Sequence, residues 1–411
     1  METVVPARVR LVAAALVAVL VVPAAQAAGS SLQGRLGRAL QAKHVSPRRT
    51  GAVVLDLQSG RTLFAQNPSL PLLPASNEKL ATTYAALSAL GPGFRIETDV
   101  LGDGTQTGAM WKGDLVLKGY GDPTLSAADI ASLARQVAAD GIHRVTGRVV
   151  GDESWFDGRR TGVGWKGSFY LVQSPALSAL IADRGWTGSF ETPQPALWAT
   201  QLFRADLVRA GVSVHGGAAL GVAAEDAAPL AEVQSAPVAK LVTFMDRASD
   251  NFTAEMLMKE VGAVTSGRGT TAAGLRETLG LLRAAGIPLT GVRMVDGSGL
   301  SRDDRWTPAA LAALLRTMWH DPDVGPDLRS ALPIAGRTGT LEHRMRRGAA
   351  HGFVRAKTGT TDNSSALSGF VGDRYVFSVV ENGYPVWTTN AEASQDRFAQ
   401  VLASAATRPA G

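Results

Sequence analysis

Apolar residues recur every three to four positions in some stretches of the chain and alternate or run on in others, and the two rhythms predict its helices and strands. Leu32, Leu36 and Leu40 mark a helix over 30–43. Residues 51–57 and 61–65, parted by Gln58-Ser59-Gly60, read as a strand hairpin. A loop punctuated by Pro68, Pro71 and Pro74 leads to the apolar run Leu80 to Leu90, a helix that ends at Gly91-Pro92-Gly93.

The rhythm shifts after Gly93. Strands are predicted over 94–101, 113–118 and 145–150, with a helix over 127–139 between the last two. Between Trp155 and Pro195 no period holds and Gly, Ser, Pro and Trp abound, so loops and short strands are expected. A helix near 197–210 and a short strand at 212–214 follow. From about Leu230 helical spacing returns, with helices over 238–247 and 253–263 flanking Ser249-Asp250-Asn251. Two more helices, 271–285 and 308–318, flank a glycine-punctuated loop from Asp296 to Arg302. Strand patterns over 352–358, 366–372 and 374–380 and a helix over 391–405 close the chain. The expectation is one mixed α/β (α+β) catalytic domain, residues 28–92 and 230–411, interrupted by an inserted α/β domain over 93–229.

With 411 residues, 45% of them hydrophobic and 19% charged, the chain can bury a large core in two domains. Residues 1–27 stand apart. Arg8 and Arg10 precede an apolar run from Leu11 to Val22, and Ala25-Gln26-Ala27 offers a small-x-small cleavage site, the pattern of a secretory signal peptide cleaved near Ala27. Pro23 ends the apolar run after about a dozen residues, short of the ~20 a membrane anchor needs. Cysteine is absent, which excludes disulfides and lipidated cysteine. Removing the leader takes Arg8, Arg10 and Glu2 from the 41 basic and 36 acidic residues, leaving 39 against 35, a net of +4. The charges are dispersed, with no basic stripe among aromatics, so no nucleic-acid partner is expected. An anionic wall polymer is compatible with this balance.

Candidate chemistry lies where the helix over 80–90 begins, at Pro74-Ala75-Ser76-Asn77-Glu78-Lys79-Leu80. Ser76 and Lys79, three residues apart, share one helix face, and a lysine partly withdrawn from water can take the hydroxyl proton. The backbone N–H of Ser76 can donate to an oxyanion beside its own oxygen. Alone, the same tetrapeptide also fits an ordinary helix start, with Ser76 as N-cap and Glu78 in the first turn. Its companions change the reading. Of eight lysines only Lys79 has a serine three positions before it, and of six asparagines only Asn251 has a serine two before it. Lys-Thr-Gly occurs once, at Lys357-Thr358-Gly359, followed by Thr360. Arg160-Thr161-Gly162 and Arg337-Thr338-Gly339 echo it without the lysine. Acyl transfer by serine needs a nucleophile, a base, a proton for the leaving amine and an oxyanion site. Ser76 and Lys79 supply the first two, Ser249 a proton relay, and Asn251 a group that positions Lys79 and a substrate carbonyl. Lys357 at a strand edge offers positive charge to a substrate carboxylate, with Thr358 and Thr360 as hydroxyl donors and the Thr360 amide as second oxyanion donor. Gly359 lets an extended substrate approach the strand backbone.

The order Ser-x-x-Lys, Ser-x-Asn, Lys-Thr-Gly is that of β-lactamases and penicillin-binding proteins. The chain resembles the D-alanyl-D-alanine carboxypeptidase/endopeptidase family of low-molecular-mass, class C penicillin-binding proteins. The likeness extends through Gly121-Asp122-Pro123-Thr124-Leu125, Val150-Gly151-Asp152-Glu153-Ser154-Trp155-Phe156, Asn251 to Leu257, Asp296 to Arg302, and Leu332 to Gly336 ahead of Gly339-Thr340-Leu341. It implies a penicillin-recognising, serine transpeptidase-like fold, an antiparallel sheet flanked by helices with a large insertion. It also implies acylation of Ser76 by penicillin and contacts from Asp152 and Arg302 to the peptide side chain. Two departures stand out. Ser76 and Ser249 lie 173 positions apart, short for the family, so a domain nested in the insertion is expected to be reduced or missing, and Arg337-Thr338 replaces the pair usual before Gly-Thr-Leu. The function expected is a secreted serine DD-peptidase acting on peptidoglycan stem peptides and bound by β-lactam antibiotics. The alternatives are a β-lactamase or a non-hydrolytic penicillin-binding wall protein. No Gly-x-Ser-x-Gly occurs, against a Ser-His-Asp hydrolase, and no His or carboxylate cluster has metal-ligand spacing, so neither metal nor cofactor is expected.

Overall fold

Helix α1 (Leu32–Ala39) opens on Ser31, whose hydroxyl accepts from the Gly34 N–H, and delivers the chain to strands β1 (Thr50–Asp56) and β2 (Thr62–Gln66). These belong to a computed structural model that describes residues 31–407; the signal peptide expected over 1–27 lies outside them. After β2, a proline-broken loop leads to helix α2 (Lys79–Ala89).

The chain then leaves for a second sheet. Strands β3 (Glu97–Thr107) and β4 (Met110–Gly119) form its long hairpin, and helix α3 (Ala127–Ala139) packs on it from a reciprocal Ser126–Asp129 capping box. A single strand expected over 145–150 is instead two, β5 (Arg144–Val145) and β6 (Val149–Asp152), both parallel to β4. The break falls at Gly147, where a Cβ would lie 2.2 Å from Asp114 Oδ1 and 2.3 Å from the Gly113 carbonyl. Helix α4 (Pro195–Arg209) leads to β7 (Ser213–Val214) and β8 (Ala218–Leu220), which extend β5 and β6 in parallel. Strand β9 (Ala228–Gln234) returns antiparallel to β3. The helical pattern expected from Leu230 therefore starts later, and the insertion's sheet runs past the expected limit of 229. Its half-exposed alternation hid β9 from a search for apolar runs.

From α5 (Val238–Ala248) the chain is back against α2. Helices α6 (Asn251–Ser266), α7 (Thr271–Ala284), α8 (Pro308–His320) and α9 (Gly325–Ala331) follow, then β10 (Val354–Thr361), β11 (Ser364–Val371), β12 (Tyr375–Asn382) and α10 (Thr388–Ala406). The first sheet is wholly antiparallel in the order β10-β11-β12-β1-β2. It has the expected architecture. Every residue of β11 is buried because both faces are covered: Ala366 and Phe370 face the core with α2 and α8, while Leu367 and Val371 face α1 and α10. Strand β10 is an edge, and it carries Lys357 to Thr360. No helix among the described residues is long and apolar enough to cross a membrane.

The segment that carries the second sheet packs against the helices beside the first. Phe156, Leu177 and Ile181 bury against Phe252 and Met256 of α6, Lys259 reaches Asp157, and Trp155 Nε1 donates to Glu260 Oε2 at 2.9 Å. Burial raises Glu260 from 4.5 to about 8, so between those values the folded chain holds a proton the unfolded chain has lost. Its stabilisation is complete at low pH and is lost as pH rises through about 8. The Tm of Glu260→Gln, followed by calorimetry from pH 5 to 9, should fall less steeply with pH than that of the wild type.

Candidate active site

Ser76 sits on a 3-10 turn, Ala75–Glu78, that runs directly into α2. Ala75 has φ 47°, a left-handed conformation that costs a non-glycine residue of order 1 kcal/mol and must be held by its surroundings. Two glycines hold it. A Cβ on Gly359 would meet the Pro74 carbonyl at 2.8 Å and Ser76 N at 3.0 Å, and one on Gly299 would meet the Ala75 carbonyl at 1.9 Å. The space left by Gly359 is thus filled by the protein's own nucleophile turn rather than kept for a substrate. Asn77 Nδ2 donates to the Lys357 carbonyl at 3.2 Å, tying the turn to β10.

Lys79 is fully buried one turn on. Its Nζ donates to Ser76 Oγ at 3.0 Å, Asn251 Oδ1 at 2.8 Å and the Ser298 carbonyl at 2.7 Å, so one ammonium meets three acceptors from three segments. Burial lowers its pKa to about 8, against the opposing pull of Asp296, Asp250, Glu255 and Asp246. Asp296 organises this side. Its carboxylate accepts from the N–H groups of Ser298, Gly299 and Ser301, the Ser298 hydroxyl and Trp165 Nε1, which fixes the Ser298 carbonyl against Lys79.

Ser249 ends α5 with φ 57°, so the chain turns sharply and starts α6 two residues later on Asn251. Asp250 caps that helix through the Thr253 N–H and takes a two-pronged contact from Arg184, at 3.2 and 2.8 Å. Asn251 Oδ1 faces Lys79 while Nδ2 donates to the Gln173 carbonyl at 3.0 Å. Lys357, also fully buried, donates to Ser249 Oγ at 2.8 Å and to the Thr358 carbonyl at 3.0 Å. Burial and repulsion from Lys79 push its pKa down to about 7. Thr358 Oγ1 donates to Thr340 Oγ1 at 2.7 Å, so the segment that only echoed Lys-Thr-Gly supplies a hydroxyl.

Residues 333–335 pair with the outer edge of β10 as far as Ala356, whose N–H donates to Pro333. By the alternation of an antiparallel ladder, Thr358 and Thr360 turn their N–H and C=O groups to the same side, where the edge is open. Ser76, Ser249, Asn251, Thr340, Thr358 and Thr360 line one cavity of about 400 Å³. Eight expected residues therefore converge: Ser76, Lys79, Ser249, Asn251, Lys357, Thr358, Gly359 and Thr360. Arg302 is exposed further along the groove. Asp152 does not join them. It is fully buried on β6, its oxygens accepting from the Ser154 and Ala223 N–H groups at 2.8 and 2.9 Å with Lys118 at 3.9 Å, and so it holds the insertion's fold. Trp165, Gln173 and Arg184 were missed because they come from the stretch without periodicity, and Asp296 because an acid in a glycine loop reads as a turn.

The sequence model of the D-Ala-D-Ala carboxypeptidase 3 (S13) family matches residues 32–194 and 183–406. This chain belongs to that family. A D-alanyl-D-alanine carboxypeptidase of Actinomadura sp. (strain R39) is 32% identical over 82% of the chain and 78% of its own length. The carboxypeptidase DacB of Mycolicibacterium smegmatis is 33% identical over 88% and 83%. The fold matches penicillin binding protein 4 of Haemophilus influenzae, at 22% identity, TM-score 0.81 and coverage of 91% of this chain and 98% of that one. As a member of the S13 family the protein is a serine-type D-Ala-D-Ala carboxypeptidase.

The clamp on the nucleophile turn leads to a direct test. Gly359→Ala puts a methyl group against Pro74 and Ser76, and a displacement of about 1 Å at a reacting atom can cost ~100-fold in rate. The expected result is a loss of about that size in kcat/KM on a peptide ending in D-Ala-D-Ala, with an unchanged far-UV circular dichroism spectrum.

Proposed function

We propose that this carboxypeptidase is a secreted peptidoglycan DD-peptidase that works through an acyl-enzyme on Ser76, cutting D-Ala-D-Ala termini, D-Ala–diamino acid cross-links, or both. β-Lactams acylate the same oxygen. The observation that carries this reading is the buried Lys79 amine bonded to Ser76 Oγ, with a pKa lowered to about 8. It is supported by the Haemophilus penicillin binding protein 4, also solved complexed with a novel β-lactam. Residues 1–27 direct export.

The substrate's extended chain adds to the open edge of β10, and its terminal carboxylate meets Lys357, Thr340 and Thr358. That anion restores the proton on Lys357, whose pKa stands near 7 without it, and the restored charge repels the proton of Lys79. Neutral Lys79 accepts the Ser76 proton as Oγ attacks the carbonyl. The N–H groups of Ser76 and Thr360 stabilise the oxyanion. The proton taken by Lys79 is passed through Ser249 to the leaving amine, and Lys79, neutral again, takes a proton from the water that attacks the ester and returns it to Ser76 Oγ as the acid leaves. Asn251 keeps Lys79 aimed, and its second Nδ2 proton serves a substrate carbonyl. Arg302 contacts the peptide further along the groove.

Intact-protein mass spectrometry after incubation with penicillin G tests the acyl-enzyme. The wild type should gain one long-lived adduct and Ser76→Ala none. Rapid turnover of the drug would point to a β-lactamase, and no adduct on the wild type to a non-hydrolytic binding protein.

The pH profile tests the base. In free enzyme kcat/KM should rise with pH on an acid limb as Lys79 loses its proton and fall on an alkaline limb once Lys357, lowered to about 7, has also lost its own. Asp296 is the largest influence holding that pKa up, so removing its charge lets burial lower the value further. In Asp296→Asn the acid limb should move to lower pH. A purely structural loss would reduce the rate and leave the limb in place.

A further inference from the structure

The groove continues past Thr360. The cavity at Ser76 shares Leu300 and Thr360 with a second, which shares Thr361 and Asp362 with a third, which shares Leu73, Arg302 and Asn363 with a fourth. This far cavity, of about 470 Å³, is lined by Arg48, Arg49, Arg302 and Arg305 and by no carboxylate. Arg48 and Arg49 end the turn Pro47–Arg49 and are exposed. Arg305 is half-buried, and its Nη1 donates to the Arg302 and Asp304 carbonyls at 2.8 and 2.6 Å. None of the four forms an ion pair among the described residues. Asp362, the acid in the adjoining cavity, is held by Lys166 at 2.6 Å. Arg302 also acts on Asp362 from a distance, but no carboxylate enters the lining, and four guanidinium groups around one cavity present paired N–H donors that match oxyanions.

Direction follows from the strand. With the substrate's carboxyl end at Lys357, an antiparallel guest runs its earlier residues along Thr358 and Thr360 toward the turn at Asp362-Asn363. From Lys357 to Thr361 a strand advances about 13 Å, so a group in the far cavity belongs to the fourth residue from the carboxyl end or beyond.

We infer that this cavity is an oxyanion subsite for the upstream part of the wall substrate, an inference that rests on the proposed reading of the groove. The oxyanion can be a carboxylate of the peptide itself or a phosphate of a polymer joined to it. Two synthetic donors ending in D-Ala-D-Ala, with a free carboxylate or its amide at the fourth residue from the end, separate the sources. The wild type should use the carboxylate donor with kcat/KM about three- to tenfold higher, the range of two partly exposed charge contacts. The double variant Arg48→Gln/Arg49→Gln should lose that preference and keep wild-type cleavage of the amide donor and acylation by penicillin. Equal use of both donors, with inhibition by inorganic tripolyphosphate that the double variant lacks, assigns the subsite to a phosphate-bearing polymer. Equal use without such inhibition, or a preference that survives in the double variant, overturns the inference. Failure of penicillin to acylate Ser76 would instead strike the acyl-enzyme reading.

Discussion

An amine withdrawn from water but still bonded is the constraint on which this structure depends. Burying an ammonium without compensation costs several kcal/mol, and the Lys79 site offsets that cost with three oxygens and a surround of carboxylates. The acceptors come from the nucleophile turn, the start of α6 and the loop after α7, so the site exists only when all three segments are docked. Lys357 lies in a harsher place. Its one attractive partner among the surrounding charges is Asp246, itself raised to about 6 by burial and bonded to Thr83, while Lys79 repels it. Two buried cations thus share few anions. The balance lowers both, Lys79 to about 8 and Lys357 to about 7, so the pair sheds protons far below the ordinary lysine range.

Close backbone approach is the second requirement, and it explains the strain. Ala75 and Ser249 both have positive φ, and each turns the chain where a functional oxygen must face the cavity. Such conformations persist only where neighbours over-determine them. Gly359 and Gly299 do so for Ala75 by removing the side chains that would hold β10 and the loop away. At the second turn the neighbours come from the insertion: Arg184 pins Asp250, and the Gln173 carbonyl takes the Asn251 amide. With Trp165 on Asp296 and Lys166 on Asp362, the insertion's irregular segment reaches behind each of the three motifs. Its bonds are made to another domain, so its sequence has no period of its own.

That is also why the chain was legible unevenly. The two rhythms of apolar residues placed the five strands of the catalytic sheet and its main helices, because these elements bury regular faces. The companions Ser76, Lys79, Ser249, Asn251 and Lys357 could be paired from spacing and order alone, since the chemistry of acyl transfer restricts the residue types. What spacing could not show was depth. Asp152 has the composition of a binding carboxylate, yet β6 carries it into the insertion, where two backbone N–H groups occupy it. Thr340 stood in a segment that merely echoed Lys-Thr-Gly and became a partner of Thr358 only through the pairing of 333–335 with β10. Gly359 was expected to admit an extended substrate, whereas the chain packed against it is the protein's own turn at Pro74 and Ser76.

The same distribution of charge bears on the acyl-enzyme proposed at Ser76. Rapid release of a β-lactam acyl group requires a carboxylate or amine that can activate water beside the ester. The carboxyl groups that act on Lys79 do not line the cavity, and burial raises Glu255 to about 8 and Glu78 well above its ordinary range, which disfavours the charged form of each. Among the described residues the one carboxylate lining the cavity is Glu392, which lies 3.7 Å from Arg344. Among the described residues Lys79 is the one group hydrogen-bonded to Ser76 Oγ.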